Sequence, residues 1–185
     1  MANLFAVLGL AESLTLEPEE VDRAWQALTR ESPPQSDDGT EDSSEIHHAR
    51  RILSDPVSRL EHWLERHGIA LERGSSMAPD FMDLFSQIHE ALAKADSVYG
   101  RHEKATTALT KALLSREAIE AQLAVQDCLS LLHQKKSRRI GQFAAFEEAS
   151  QRSEYHDAAT TLGQLKFLKK WEQQCRERLL KLIEC

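Results

Sequence analysis

The chain has 185 residues, 41% of them hydrophobic and 29% charged, with a net charge of −7. That suffices for one ordinary domain or two small ones, is too apolar for a disordered chain, and disfavours nucleic acid or an anionic membrane as the main partner. No stretch approaches the ~18 consecutive apolar residues that would suggest a membrane span, and MANLFAVLGLAES lacks the positive flank of a signal peptide. Cys128, Cys175 and Cys185 are odd in number and far apart, which is neither a disulfide framework nor a zinc spacing, so a reducing cytoplasm is expected. The basic run KKSRR, Lys135 to Arg139, would spread around a helix and reads as a solvated face.

With few Gly and Pro and no alternating strand pattern, the fold class is all-α. A short apolar helix is expected over Asn3 to Leu10. A second starts at Glu17-Pro18, where proline at the first helical position loses nothing, carries Val21, Ala24, Trp25 and Leu28, and ends by Ser32 because Pro33 disfavours helix before it. A polar, acidic loop, SPPQSDDGTEDSS, then leads to a third helix with Ile46, Ala49 and Leu53 inward. Asp55 caps and Pro56 opens a fourth, bearing Val57, Leu60 and Leu64 and stopping at His67-Gly68. ERGSS, Glu72 to Ser76, reads as a hinge.

Beyond the hinge, Phe81, Met82, Phe85, Ile88 and Leu92 mark one helical face that runs on through Val98, Tyr99, Ala105, Leu109 and Leu113, with Gly100 as a potential bend. Ser115 is the expected cap of a further helix carrying Ile119, Leu123, Val125, Leu131, Leu132, Ile140, Phe143 and Phe146. The last begins near Ser153 or Glu154 and carries Ala158, Leu162, Leu165, Leu168, Trp171, Leu179 and Ile183. Three helices of similar length with short connections imply an elongated antiparallel three-helix bundle. The division is therefore a helical module over 1–74 and a bundle over 75–185.

LFAVLGL (Leu4 to Leu10), the amphipathic helix and polar loop after it, and ARRILSDPVSR (Ala49 to Arg59) resemble a J-domain. HWLERHG (His62 to Gly68) and YHDAATTLGQLKFLKKW (Tyr155 to Trp171) resemble the narrower HscB family, J-protein co-chaperones of iron–sulfur cluster assembly. Residues 97 to 150 match that family poorly. The resemblance implies that the bundle binds an iron–sulfur scaffold protein, or another helical client, and that the module delivers it to a DnaK/HscA-type chaperone. A monomer is expected, with no cofactor, no metal and no enzymatic activity of its own.

The J-domain signature itself is degenerate. The family's His-Pro-Asp falls on Pro33, Pro34 and Gln35. An anionic Asp that can make a charge-assisted hydrogen bond to a chaperone arginine has become a neutral amide, and the His has become a residue with neither a polar side chain nor an N–H. Losing such an interfacial charge pair costs on the order of 2–5 kcal/mol. The second helix, basic in the family, here holds Glu17, Glu19, Glu20, Asp22 and Glu31 against Arg23 and Arg30, so steering toward an acidic chaperone is reversed. Pro33, Pro34, Gln35, Arg23 and Arg30 are thus a degraded chaperone-binding site, and ATPase stimulation is expected to be impaired. The alternative is a non-stimulating adaptor that has left the co-chaperone role.

By the same resemblance, Phe81, Met82, Phe85 and Phe167 are the client-binding patch, partly exposed, and the acidic surround usual in the family is reduced to Asp83 and Glu90. The eight histidines suggest no metal centre: His47 and His48 are adjacent and point apart, and His62 with Glu65 supplies only two ligands. No phosphate-binding glycine loop, nucleophile elbow or Cys-His pairing is present.

Overall fold

A computed structural model describes residues 2–31, 39–69 and 79–185, with side chains described at all of these except 31, 39–43 and 79–80. The described residues form helices α1 (Leu4–Val7), α2 (Pro18–Glu31), α3 (Gly39–Ser54), α4 (Pro56–Arg66), α5 (Pro79–Lys104), α6 (Ala108–Ile140), α7 (Phe143–Ser150) and α8 (His156–Ile183). They group into two compact units: residues 1–73 with 139–163, and residues 74–138 with 164–185. The single boundary expected at 74/75 therefore differs in one respect, because 139–163 pack with the N-terminal elements.

In the first unit, local chemistry sets most helix ends. Asn3 Oδ1 accepts from the N–H groups of Phe5 and Ala6, at 3.2 and 3.3 Å, and starts α1. Glu20 reaches back to the Glu17 N–H at 3.1 Å and closes the first turn of α2. Asp55 Oδ2 accepts from Ser58 N at 3.1 Å ahead of Pro56 at the start of α4. Gly68, with φ +72, ends α4 in the left-handed conformation that glycine adopts freely. The helix α3 begins at Gly39, earlier than the sequence suggested, so part of the acidic loop is helical.

Leu4, Phe5, Leu8, Val21, Ala49 and Leu53 make the core between α1, α2 and α3. Arg59, buried, donates from Nη1 to the Leu53 carbonyl at 2.8 Å and satisfies the end of α3. His62, also buried, accepts from the Leu4 N–H through Nε2 at 3.3 Å and ties α1 to α4. Trp25 packs half-buried against this core: the Arg50 guanidinium lies 4.0 Å from its ring centroid while Arg50 Nε donates to Asp22 at 2.8 Å. An intramolecular clamp thus joins α2 to α3.

Residues 139–163 join this unit through identifiable contacts. Phe143 and Phe146 of α7 are buried. Glu147 accepts from the Ser13 hydroxyl at 2.8 Å and from the Leu14 N–H. Tyr155 stacks obliquely on Trp63 and His67, with centroids 5.7 and 5.1 Å away.

The second unit is the three-helix bundle of α5, α6 and α8. Its side-chain pairs read out the topology. Arg101 meets Glu117 and Lys94 meets Glu120, so α6 runs back along α5. Lys136 meets Glu172 and Ser115 meets the Cys185 carbonyl, so α8 runs back along α6. Arg178 meets Asp96, in the parallel sense expected for the first and third helices of an up-down-up bundle. Gly100 is accommodated within α5; the break comes at Ala105 to Thr107, where Thr107 Oγ1 accepts from Thr110 N at 3.2 Å and caps α6. Ser115 is therefore interior, not a cap, and its hydroxyl donates to the Cys185 carbonyl at 2.8 Å. The helix expected to run through Phe146 stops at Ile140, with Gly141 in the turn that follows.

Candidate protein-binding sites

The strongest candidate lies on α5 and α8, one residue deeper than the sequence suggested. Trp171, 6% exposed, is its floor. Three phenylalanine rings surround it: Phe85 at 5.9 Å, Phe81 at 6.2 Å and Phe167 at 6.3 Å between centroids. Phe81 and Phe85 are one turn apart on α5, as are Phe167 and Trp171 on α8, so parallel helices put two i,i+4 pairs face to face. Met82, Phe85 and Phe167 are 54%, 43% and 37% exposed, whereas Phe81 is 1% exposed. Phe81 is thus corrected from a member of the exposed patch to part of the packing beneath it. Trp171 was legible in the sequence only as a core residue; its i,i+4 relation to Phe167 was the available signal.

The patch has a polarised rim. Asp83 and Glu90 are exposed on α5, and Lys166, Lys169 and Lys170 on α8. His89 stacks on Phe85 with centroids 5.9 Å apart and extends the aromatic surface by one turn. Ser86 is exposed, its hydroxyl donating to the Met82 carbonyl of its own helix at 3.1 Å. Aromatic anchors over a buried ring, with a flexible thioether beside them and charges only at the rim, are the chemistry of a protein-binding hot spot.

The second candidate is the edge of α2 and the loop after it, where the sequence resemblance expected a chaperone contact. Pro33, Pro34 and Gln35 lie outside the described residues. Arg23 and Arg30 are exposed, and Arg23 Nε donates to the Glu19 carbonyl of its own helix at 3.3 Å. Asp22 is engaged by Arg50 and Glu20 by the α2 cap, while Glu19 is exposed. On α3, Arg50 is occupied by Asp22 and Trp25, and Arg51 Nη2 lies 3.0 Å from His48 Nδ1.

The polar clusters elsewhere are structural. Glu172 is buried and receives His133 Nε2 at 3.1 Å, Lys136 Nζ at 3.2 Å and Arg176. Burial pushes its pKa up, but the hydrogen bonds from His133 and Lys136 and the charges of Lys136 and Arg176 outweigh it, holding the carboxyl below its ordinary value. Lys136, read as part of a solvated run, is one of its partners. Cys128 and Cys175 are buried, and burial pushes the Cys175 thiol up to about 11, far from a nucleophile. A shallow groove of about 320 Å³ on α3 and α4 is lined by Leu4, Ile52, Glu45, His48 and His62 among others. His62 already uses Nε2 on Leu4, and among the described residues no group of three or more His, Cys, Asp or Glu could hold a metal. Among them, too, no helix is long and apolar enough to cross a membrane.

No protein-family model matches the chain, and no curated protein matches it. Its fold, however, is that of HscB co-chaperones. The human co-chaperone protein HscB superposes with a TM-score of 0.68 at 17% identity, over 95% of this chain and 81% of that one. The chaperone HscB from Vibrio cholerae superposes with a TM-score of 0.56 at 19% identity, over 95% of this chain and 96% of that one.

Proposed function

We propose that this protein, on an HscB-type fold, is a client-binding co-chaperone. Its bundle grips an iron–sulfur scaffold protein or a similar helical client, and its N-terminal module presents that client to a DnaK/HscA-type ATPase while stimulating it weakly. The observation that carries the reading is the Trp171-floored patch of Met82, Phe85 and Phe167, three large apolar side chains left partly in water on adjoining helices of one bundle. Apolar area of that kind is stable in a soluble chain chiefly as a contact surface. The chain catalyses no reaction in this proposal; the ATPase belongs to the partner. A reducing cytoplasm suits its three free thiols.

A specific pair of observations favours a second reading, a non-stimulating adaptor. Pro33, Pro34 and Gln35 stand where the family resemblance places His-Pro-Asp, and on α3 Arg50 is engaged within the chain by Asp22 and Trp25. Two measurements separate the readings. Calorimetric titration of a scaffold protein into the chain, repeated with Phe85→Ala, tests client binding. Single-turnover ATP hydrolysis by the host's DnaK-class chaperone tests stimulation. Binding with weak but measurable acceleration supports the co-chaperone; binding with none supports the adaptor; no patch-dependent binding overturns both.

A further inference from the structure

The outer face of α6 carries large exposed leucines among its charged residues. Leu109, Leu113 and Leu123 are between 57% and 72% exposed, although Leu114, Ala118, Ala121 and Val125 on the opposite face already fill the core. Clustered large apolar side chains on an exposed helix face are a mark of a contact surface. The exposed positions also follow a pattern: Leu109, Leu113, Arg116, Glu120, Leu123 and Asp127 are spaced alternately four and three apart, which is the seam of a coiled coil. Arg116 and Glu120 sit at its middle with side chains 85% and 55% exposed, their charged atoms 3.9 Å apart and Lys94 also near Glu120 at 3.8 Å.

We infer that α6 is a self-association surface on which a second copy of this chain docks its own α6 in the antiparallel sense, about a two-fold axis level with Ala118. Charge decides the partner and the direction. A parallel pairing stacks Arg116 on Arg116, Glu120 on Glu120 and Asp127 on Asp127, all repulsive. The antiparallel pairing sets Leu113 against Leu123 of the partner subunit and Arg116 against Glu120 of the partner subunit, each twice by symmetry. Leu109 then faces Asp127 of the partner subunit at the solvated ends. The surface is complementary to itself, as an isologous contact requires, and a charged central layer fixes register at some cost in affinity. The seam from 109 to 127 is about 27 Å long. One helix pair of that length stays below the ~800 Å² per partner of a standard interface, so the dimer is weak, with a dissociation constant of about micromolar to millimolar. In this proposal the chain is a weak dimer, where the sequence led to the expectation of a monomer. It is independent of the client patch, which lies on α5 and α8.

The test is sedimentation equilibrium of the full chain from about 1 μM to about 1 mM. The wild type should associate to a dimer over that range. Leu113→Glu, Arg116→Glu and Glu120→Arg should each raise the dissociation constant at least ~10-fold. The swap Arg116→Glu with Glu120→Arg in one chain should restore it to within a few-fold of wild type, and an equimolar mixture of the two single charge variants should form the heterodimer. All are exposed positions, so unfolding midpoints should stay near wild type; the charge swap keeps the test decisive even where Leu113→Glu perturbs folding. A chain monomeric throughout, or a dimer indifferent to these charges, overturns the inference. Loss of client binding by Leu113→Glu in a monomeric chain also overturns it, and assigns the face to a client helix.

Discussion

Truncating the aromatic patch one ring at a time separates packing from binding. Phe81 is 1% exposed against Trp171, so Phe81→Ala should cost about 3–5 kcal/mol of folding stability. Phe85 keeps 43% of its surface in water, so little more than half of its transfer free energy is already realised in the folded chain. Taking about 1.5–3 kcal/mol for full burial, Phe85→Ala should cost about 1–1.5 kcal/mol of stability, and Phe167→Ala, at 37% exposure, about the same. The remaining area is what a client would cover, and truncating a central aromatic there should weaken binding by about 1–3 kcal/mol, or about 5- to 150-fold in dissociation constant. The assay is a pair of measurements on each variant: the urea midpoint with its slope, and the calorimetric affinity for an iron–sulfur scaffold protein. Phe85→Ala and Phe167→Ala should move affinity more than stability, and Phe81→Ala should do the reverse. If Phe85→Ala instead loses as much stability as Phe81→Ala, or leaves affinity unchanged, the surface is packing and not a docking site.

The other expectations are more local. Trp25→Ala should destabilise by about 1.5–3 kcal/mol, below the usual ~3–5 for a core aromatic, because Trp25 is half-buried under Arg50; a midpoint shift of core size would contradict that geometry. His62 accepts the Leu4 N–H as the neutral ring, and burial, with Arg66 adding to it, lowers its pKa from the ordinary 6.5. The unfolded chain then binds the extra proton below that value, so the His62 contribution is complete above about pH 6.5 and is lost as pH falls from there toward the folded pKa; His62→Gln should flatten that part of the stability profile between pH 5 and 7, and an unchanged slope would discard the linkage. Restoring Pro33→His together with Gln35→Asp should raise chaperone ATP hydrolysis little, because acidic α2 still repels an acidic partner. Full stimulation by that double variant, measured in single turnovers, would show that the loop residues alone limit activity.

The helices and many of their ends were written locally. Pro18 opening α2, Asp55 and Pro56 opening α4, and Gly68 closing it each act through bonds within a few residues, so spacing and residue type suffice to place them. The strings His62 to Gly68 and Tyr155 to Trp171, which resemble HscB, likewise indicated the fold that superposition shows. Periodicity could say that Phe81, Phe85, Leu109, Leu113 and Trp171 lie on apolar stripes, but not which stripe faces which neighbour. Phe81 is inside and Phe85 half out, although both rings meet Trp171 of α8, and Leu109 and Leu113 lie outside on α6, which starts after the Thr107 cap and not at Gly100. Residues 139–163 joined the N-terminal unit through Glu147 and Tyr155, contacts separated by more than eighty residues of chain from Leu14 and Trp63. Hydrophobic attraction has no direction and a helix stripe has no address, so those choices rest on the packed chain as a whole.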